Sequence, residues 1–167
     1  MKRNTLLVLG TLCMTVAGGI QAATAAPATP AAASHDHHHG PASASLELNA
    51  GRKWETDAAL RQAMAGMRQA VAASLHEIHE NRASNQKYGR LAQKVEREVA
   101  GIVANCKLEP KADAQLHLIV AELLEGAAQM TGKVKKAKRQ GGAVKVINAL
   151  NNYAAYFDDA AFQPIAH

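Results

Sequence analysis

Cysteine is scarce in this chain, and the common catalytic and cofactor motifs are missing. Only Cys13 and Cys106 occur among 167 residues. Two cysteines exclude a disulfide-stabilised scaffold and a zinc or iron–sulfur site made of four thiolates. C-x-x-C-H, G-x-S-x-G and a phosphate-binding glycine loop are also absent. A chain of this length forms one modest domain and leaves no room for a two-domain enzyme. Because no catalytic constellation is recognisable, we expect a protein that is not an enzyme.

The amino-terminal residues have no apolar run that is long enough for a membrane span. Lys2 and Arg3 precede an apolar run from Leu6 to Ile20, shorter than the roughly 20 residues that a bilayer requires. With the small residues around Ala23 and Ala25, this pattern predicts a signal peptide over residues 1–25 and export to the periplasm.

Removal of the signal would change the charge and the cysteine content. The formal charge of +5 would fall to +3, and an exported protein is not expected to bind nucleic acid. Cys106 would be left as a single cysteine. In an oxidising compartment it would then be buried, metal-bound or paired with another molecule.

Residues 26–50 are predicted to form a flexible linker that carries histidines. Ala, Pro, Ser and Gly dominate its first part without any apolar period. His35, His37, His38 and His39, with Asp36 among them, form a set of ligands suited to Cu(II), Ni(II) or Zn(II). The alternative is a low-complexity linker whose histidines bind nothing.

Residues 51–167 are predicted to be all-α, because apolar residues recur every three or four positions. The first helix spans about Asp57 to Asn81, Ser84 caps the second, Pro110 opens the third, and Gly141-Gly142 breaks the chain before the fourth. Four helices with short links are typical of an antiparallel up-down-up-down four-helix bundle. The predicted inward residues are Leu60, Met64, Met67, Val71, Leu75 and Ile78, then Tyr88, Leu91, Val95, Val99, Ile102 and Cys106, then Leu116, Val120, Leu123, Ala127 and Met130, and finally Val144, Ile147, Leu150, Ala154 and Phe157.

One end of such a bundle would bring sulfur and imidazole ligands together. Cys106 ends the second helix, His117 lies two turns into the third, and Met64 and Met67 face the core from the first. Thiolate, imidazole and thioether together favour Cu(I), and Cys with His also suits zinc. The alternative is that both methionines and Cys106 are packing residues, with His117 directed at solvent.

A second candidate site lies at the end of the first helix. His76 and His79 are three residues apart and share a helix face, with Glu80 next to them. The spacing differs from the H-E-x-x-H of zinc proteases, which excludes that hydrolase chemistry. Imidazoles near a helix carboxyl end also interact favourably with the helix dipole without any metal.

The sequence leaves two further possibilities open. A non-covalent haem b could take His117 with Met64 or Met67 as axial ligands, although few large aromatic side chains are present to line its pocket. The dense basic run from Lys133 to Arg139 suits anionic lipid headgroups or an acidic partner, and otherwise is a solvated connector.

Three stretches carry a resemblance to a known group of proteins. Residues 54–61, the run Asn105–Pro110 and Asp113 to His117 resemble small exported proteobacterial proteins with a signal peptide, a His-rich linker and a four-helix body. The resemblance implies export and the domain limits given above, and it implies no activity. From the ligand sets described above, we expect a periplasmic bundle that binds copper without catalysis. His35, His37, His38 and His39 would collect ions, and Cys106, His117, Met64 and Met67 would hold one. The rival is an envelope interaction or chaperone-like protein, binding an envelope partner or a second copy of itself, with no metal.

Overall fold

The computed structural model describes residues 45–166, and this part of the chain is helical without a named strand. Its five helices are α1 (Ala58–Ala72), α2 (Leu75–His79), α3 (Asn85–Asn105), α4 (Pro110–Met130) and α5 (Arg139–Tyr156). Within these described residues, no helix combines the length and apolar character that a membrane span requires. The predicted signal peptide and most of the predicted linker lie outside the described residues.

The predicted helix starts at Asp57, Ser84 and Pro110 are confirmed. The Asp57 carboxylate accepts the Leu60 N–H at 2.7 Å, and the Ser84 hydroxyl accepts the Lys87 N–H at 3.2 Å. Pro110 is the first residue of α4, where its missing N–H costs no helical hydrogen bond. Local polar side chains therefore fix where these helices begin.

The buried core follows the predicted apolar stripes with few exceptions. One continuous cluster joins α1, α3, α4 and α5, and Ile78 adds α2 to it. Leu75, Cys106, Val120 and Ala154 are half-buried at its edge. Val144 was predicted to face inward, which is wrong, since it is 39% exposed. The buried face of α5 instead follows Ala143, Val146, Ile147, Ala149, Leu150 and Tyr153.

The single first helix predicted over residues 57–81 is two helices. α1 ends at Ala72 and α2 begins at Leu75, and the backbone of Ser74 between them departs from helical angles. The Ser74 N–H donates to the Val71 carbonyl at 2.9 Å, a tighter turn than the α-helix makes. Leu75 and Ile78 continue the apolar spacing across this break, so periodicity alone could not predict it.

Gly141 and Gly142 were predicted to break the chain, but both lie inside α5. Gly142 is buried, and a Cβ added to it would lie 2.6 Å from the backbone oxygen of Gly126 on α4. A Cβ on Gly126 would lie 2.7 Å from the backbone oxygen of Gly142. These glycines therefore allow two helix backbones to touch, and they do not end a helix.

The segments that flank the helices pack against each other at one end of the fold. The Trp54 N–H donates to the Tyr156 carbonyl, and the Asp158 N–H donates to the Trp54 carbonyl, both at 2.8 Å. The Trp54 indole N–H donates to the Glu47 carbonyl at 2.6 Å. Leu46 also packs against the core, so organised structure begins inside the segment predicted as linker.

We predict that Gly126→Ala and Gly142→Ala each lower the free energy of unfolding by about 1–3 kcal/mol, because the added methyl group pushes the two helices apart. Urea denaturation measures the change. Gly89→Ala and Gly101→Ala are the matched controls, since a Cβ at either position meets nothing within 4 Å. These α3 variants should gain about 0.5–1 kcal/mol from helix propensity. An equal loss in all four variants would contradict the close helix contact.

Candidate functional site

A cleft of about 700 Å³ opens at the end of the fold where α1 starts and α3 ends. Its wall combines the segment before α1 with the α3–α4 connection and Asp158. Charged residues of both signs line it, namely Arg52, Lys53, Glu55, Asp57, Lys107, Glu109 and Asp158. Lys53 is partly engaged, because its ammonium donates to the Ala154 carbonyl at 2.7 Å.

Asp57 joins three parts of this end of the molecule. One carboxylate oxygen caps α1 through the Leu60 N–H, and the other accepts the Lys107 N–H at 2.6 Å. The Cys106 thiol also donates to this carboxylate. Partial burial acts to raise the pKa of Asp57, but these hydrogen bonds and nearby Arg61 bring its pKa below the usual 3.8.

The Cys106 thiol is held in its neutral form. Burial raises its pKa from 9.0 to about 12, and the negative charges of Asp57 and Asp113 add to the rise. Reactive cysteines have the opposite surroundings, with cations or helix amino ends that stabilise the thiolate. Cys106 is therefore suited to packing and to donating one weak hydrogen bond.

We predict that Asp57→Asn lowers the pKa of the Cys106 thiol from about 12 toward 9.0, because a negative charge beside the sulfur is removed. The rate of iodoacetamide labelling between pH 7 and pH 10, followed by mass spectrometry, compares the thiolate fraction of wild type and variant. Asp158→Asn is the control, since Asp158 lines the same cleft but does not contribute to the Cys106 shift. Equal labelling profiles in both variants would contradict the assigned contact.

Asp57 should also make the free energy of unfolding depend on pH in the acidic range. Its folded pKa lies below the unfolded value, so its contribution is present above the unfolded pKa and is lost as the pH falls through the folded pKa. At pH 7 we expect Asp57→Ala to cost about 1–2 kcal/mol, the usual loss of a helix cap. The difference in the free energy of unfolding between wild type and variant, measured by urea denaturation, should disappear as the pH falls below 3.8. Glu55→Ala, which removes an exposed carboxyl nearby, should leave the melts unchanged at either pH.

His117 lies on the exposed surface of α4, and its side chain is 71% accessible. Its Nδ1 is 2.8 Å from the backbone carbonyl oxygen of Asp113, one helical turn earlier. A carbonyl only accepts, so Nδ1 carries the hydrogen and Nε2 of the neutral ring carries the lone pair. The imidazole is thus oriented, with one nitrogen able to bind a ligand.

Met64 and Met67 are fully buried in the core of the described residues, each with 0% exposure. Their thioethers pack with the other apolar side chains of the core cluster. His117 is exposed and Cys106 half-buried, so these four predicted ligands differ widely in accessibility. The structure therefore supports a packing role for both methionines.

His76 and His79 are both exposed near the end of α2. The Nε2 atom of His76 lies 3.4 Å from a carboxylate oxygen of Glu80 and 3.3 Å from the guanidinium of Arg82. Arg82 also pairs directly with Glu80. The carboxylate predicted to assist a metal is therefore already engaged by a cation.

No three His, Cys, Asp or Glu side chains within residues 45–166 form a group that could hold a metal ion. His35, His37, His38 and His39 lie outside the described residues. Among the predicted ligands in the described part, only His117 combines an exposed imidazole with a ring orientation fixed by a backbone carbonyl.

Sequence reasoning missed both the roles of the Asp57 carboxylate and the cleft beside it. Asp57 and Lys107 are fifty positions apart, and no local pattern signals such a contact. The cleft likewise needs residues from three separate parts of the chain. The one available clue was that the predicted bundle brings the start of the first helix to the end of the second.

Comparisons with models of known protein families, with curated proteins and with solved structures give no match for this chain. The resemblance to small exported proteobacterial proteins therefore stays a prediction from the residues that carry it.

Proposed function

We propose that this chain is an exported periplasmic protein that binds a copper ion through histidine side chains and catalyses no reaction. The candidate ligands are His35, His37, His38 and His39 of the predicted linker and, as a separate candidate, His117 of the helical body. Imidazole nitrogens suit copper, nickel and zinc, and Cu(II) binds most tightly of the first-row divalent ions.

The orientation of the His117 ring is the observation that carries this proposal. Metal-binding histidines usually donate their second ring N–H to a carbonyl or carboxylate, which fixes the tautomer and aims the free nitrogen. His117 makes that contact to the Asp113 carbonyl at 2.8 Å. Its 71% exposure leaves the free ring nitrogen accessible to a metal ion.

The thiol and thioether set has less support. A metal would have to displace the proton of Cys106, whose pKa is raised to about 12, and reach methionines that are fully buried. His76 and His79 also have less support, since Arg82 places a positive charge beside the His76 ring nitrogen.

An antiparallel up-down-up-down four-helix bundle is the topology we propose, with α1 and α2 together as the first helix. Contacts between α4 and α5 support it, because partners earlier in α4 are later in α5. The pairs are Glu122 with Asn152, Glu125 with Lys145, and Gln129 with the Lys138 carbonyl. The contact of Asp57 with Lys107 supports the same opposed direction for α1 and α3.

Calorimetric titration of residues 26–167 with Cu(II) tests the proposed function. Replacing His35, His37, His38 and His39 together with Ser should lower the affinity on the order of 100-fold or more, and adding His117→Gln should lower the remaining affinity about tenfold. Electron paramagnetic resonance should show fewer nitrogen donors once His117 is replaced as well.

Two controls separate the alternatives. His79→Gln removes an exposed imidazole outside the proposed set, and Cys106→Ala removes the thiol, so both should keep the wild-type affinity. A lower Cu(II) affinity of the Cys106→Ala variant would instead support the predicted site built from Cys106 and the methionines. Absence of Cu(II) binding by the wild-type chain would overturn the metal function and favour an envelope interaction protein.

A further inference from the structure

A lysine-rich turn joins α4 to α5 over residues 131–138. Lys133, Lys135, Lys136 and Lys138 are all exposed, and none has an ion-pair partner within residues 45–166. Lys145 on α5, by contrast, pairs with Glu125 at 2.6 Å. Four free ammonium groups therefore lie within six consecutive residues.

The surroundings of this turn do not neutralise it. Residues 126–157 contain six Lys and Arg but no Asp or Glu. The end of α2 lies alongside, because the Gln140 side chain donates to the Ile78 carbonyl at 2.7 Å. The acidic residues there, Glu77 and Glu80, already pair with Lys87 and Arg82. The turn thus keeps its positive charge for an external partner.

The backbone of the turn is held in place from within. The Arg139 guanidinium donates to the Met130 carbonyl at 2.5 Å, and the Gln129 amide donates to the Lys138 carbonyl at 3.0 Å. Gly132 is in the left-handed region with φ +81°, and the Arg139 guanidinium lies against it. The four lysines therefore project from a fixed turn.

We propose that this turn docks the protein onto an anionic phospholipid bilayer. Lysine ammonium groups are compact point charges that suit a diffuse layer of headgroups. The planar guanidinium of arginine instead suits bidentate contacts with single carboxylates. The only arginine here, Arg139, is used internally. Val134 is 41% exposed among the lysines, an apolar side chain that can enter the interface. The surface is independent of the proposed copper site.

Vesicle co-sedimentation at low salt tests the proposal with residues 26–167. Wild-type protein should sediment with vesicles of equal parts phosphatidylcholine and phosphatidylglycerol, should not sediment with pure phosphatidylcholine, and should be released by high salt. Changing Lys133, Lys135, Lys136 and Lys138 to Gln should weaken the partition coefficient on the order of 100-fold. Val134→Ser should weaken it several-fold, a change that charge alone would not cause.

The matched control changes Arg52, Arg97, Lys107 and Lys111 to Gln, which removes the same charge from exposed residues elsewhere. It should keep the wild-type partition within about threefold, since it leaves the turn intact. Circular dichroism melts verify that both variants fold. An equal loss in the control, or no binding of wild type to the anionic vesicles, would overturn the proposal. Binding to soluble polyglutamate but not to the vesicles would overturn it in favour of an acidic polypeptide.

Discussion

The contact between the backbones of Gly126 and Gly142 is the constraint on which much of this fold depends. α4 and α5 form the most extensive helix interface in the described residues, and only residues without a Cβ permit it at this point. The turn between these helices takes its geometry from the same close pairing. α4 also carries His117 near its start and the lysines just past its end. Both proposals therefore depend on the packing of α4 against α5.

Asp57 has a comparable role at the end of the fold that carries the cleft. A single carboxylate caps α1, accepts the backbone N–H after α3 and receives the Cys106 thiol. Such a shared acceptor ties two distant parts of the chain together, and its negative charge adds to the burial that keeps the adjacent thiol protonated. A thiolate is the form of cysteine that takes part in disulfide exchange. A thiol with a pKa of about 12 reacts slowly, so the contact that organises the fold also lowers the reactivity of Cys106.

The sequence predicted most of the helical framework but little of the site. Helix starts at Asp57, Ser84 and Pro110 follow from local capping chemistry, and the stripes follow from a regular apolar period. Gly142 was misread because a glycine that breaks a helix and one that admits a neighbouring backbone look identical in sequence. The pairing of Arg82 with Glu80 and the ring orientation of His117 depend on side-chain conformation, which no periodic pattern encodes.

Within the helical body, His117 and the lysine-rich turn lie far enough apart to act independently. Sixteen positions along the chain lead from His117 to Lys133, about 24 Å at the helical rise of 1.5 Å per residue. The Debye length at physiological salt is about 8 Å, so the charge of a copper ion bound at His117 would be largely screened at the lysines. Metal loading should therefore leave membrane affinity nearly unchanged. A protein built in this way could hold its metal while attached to the bilayer, because neither event alters the electrostatics of the other.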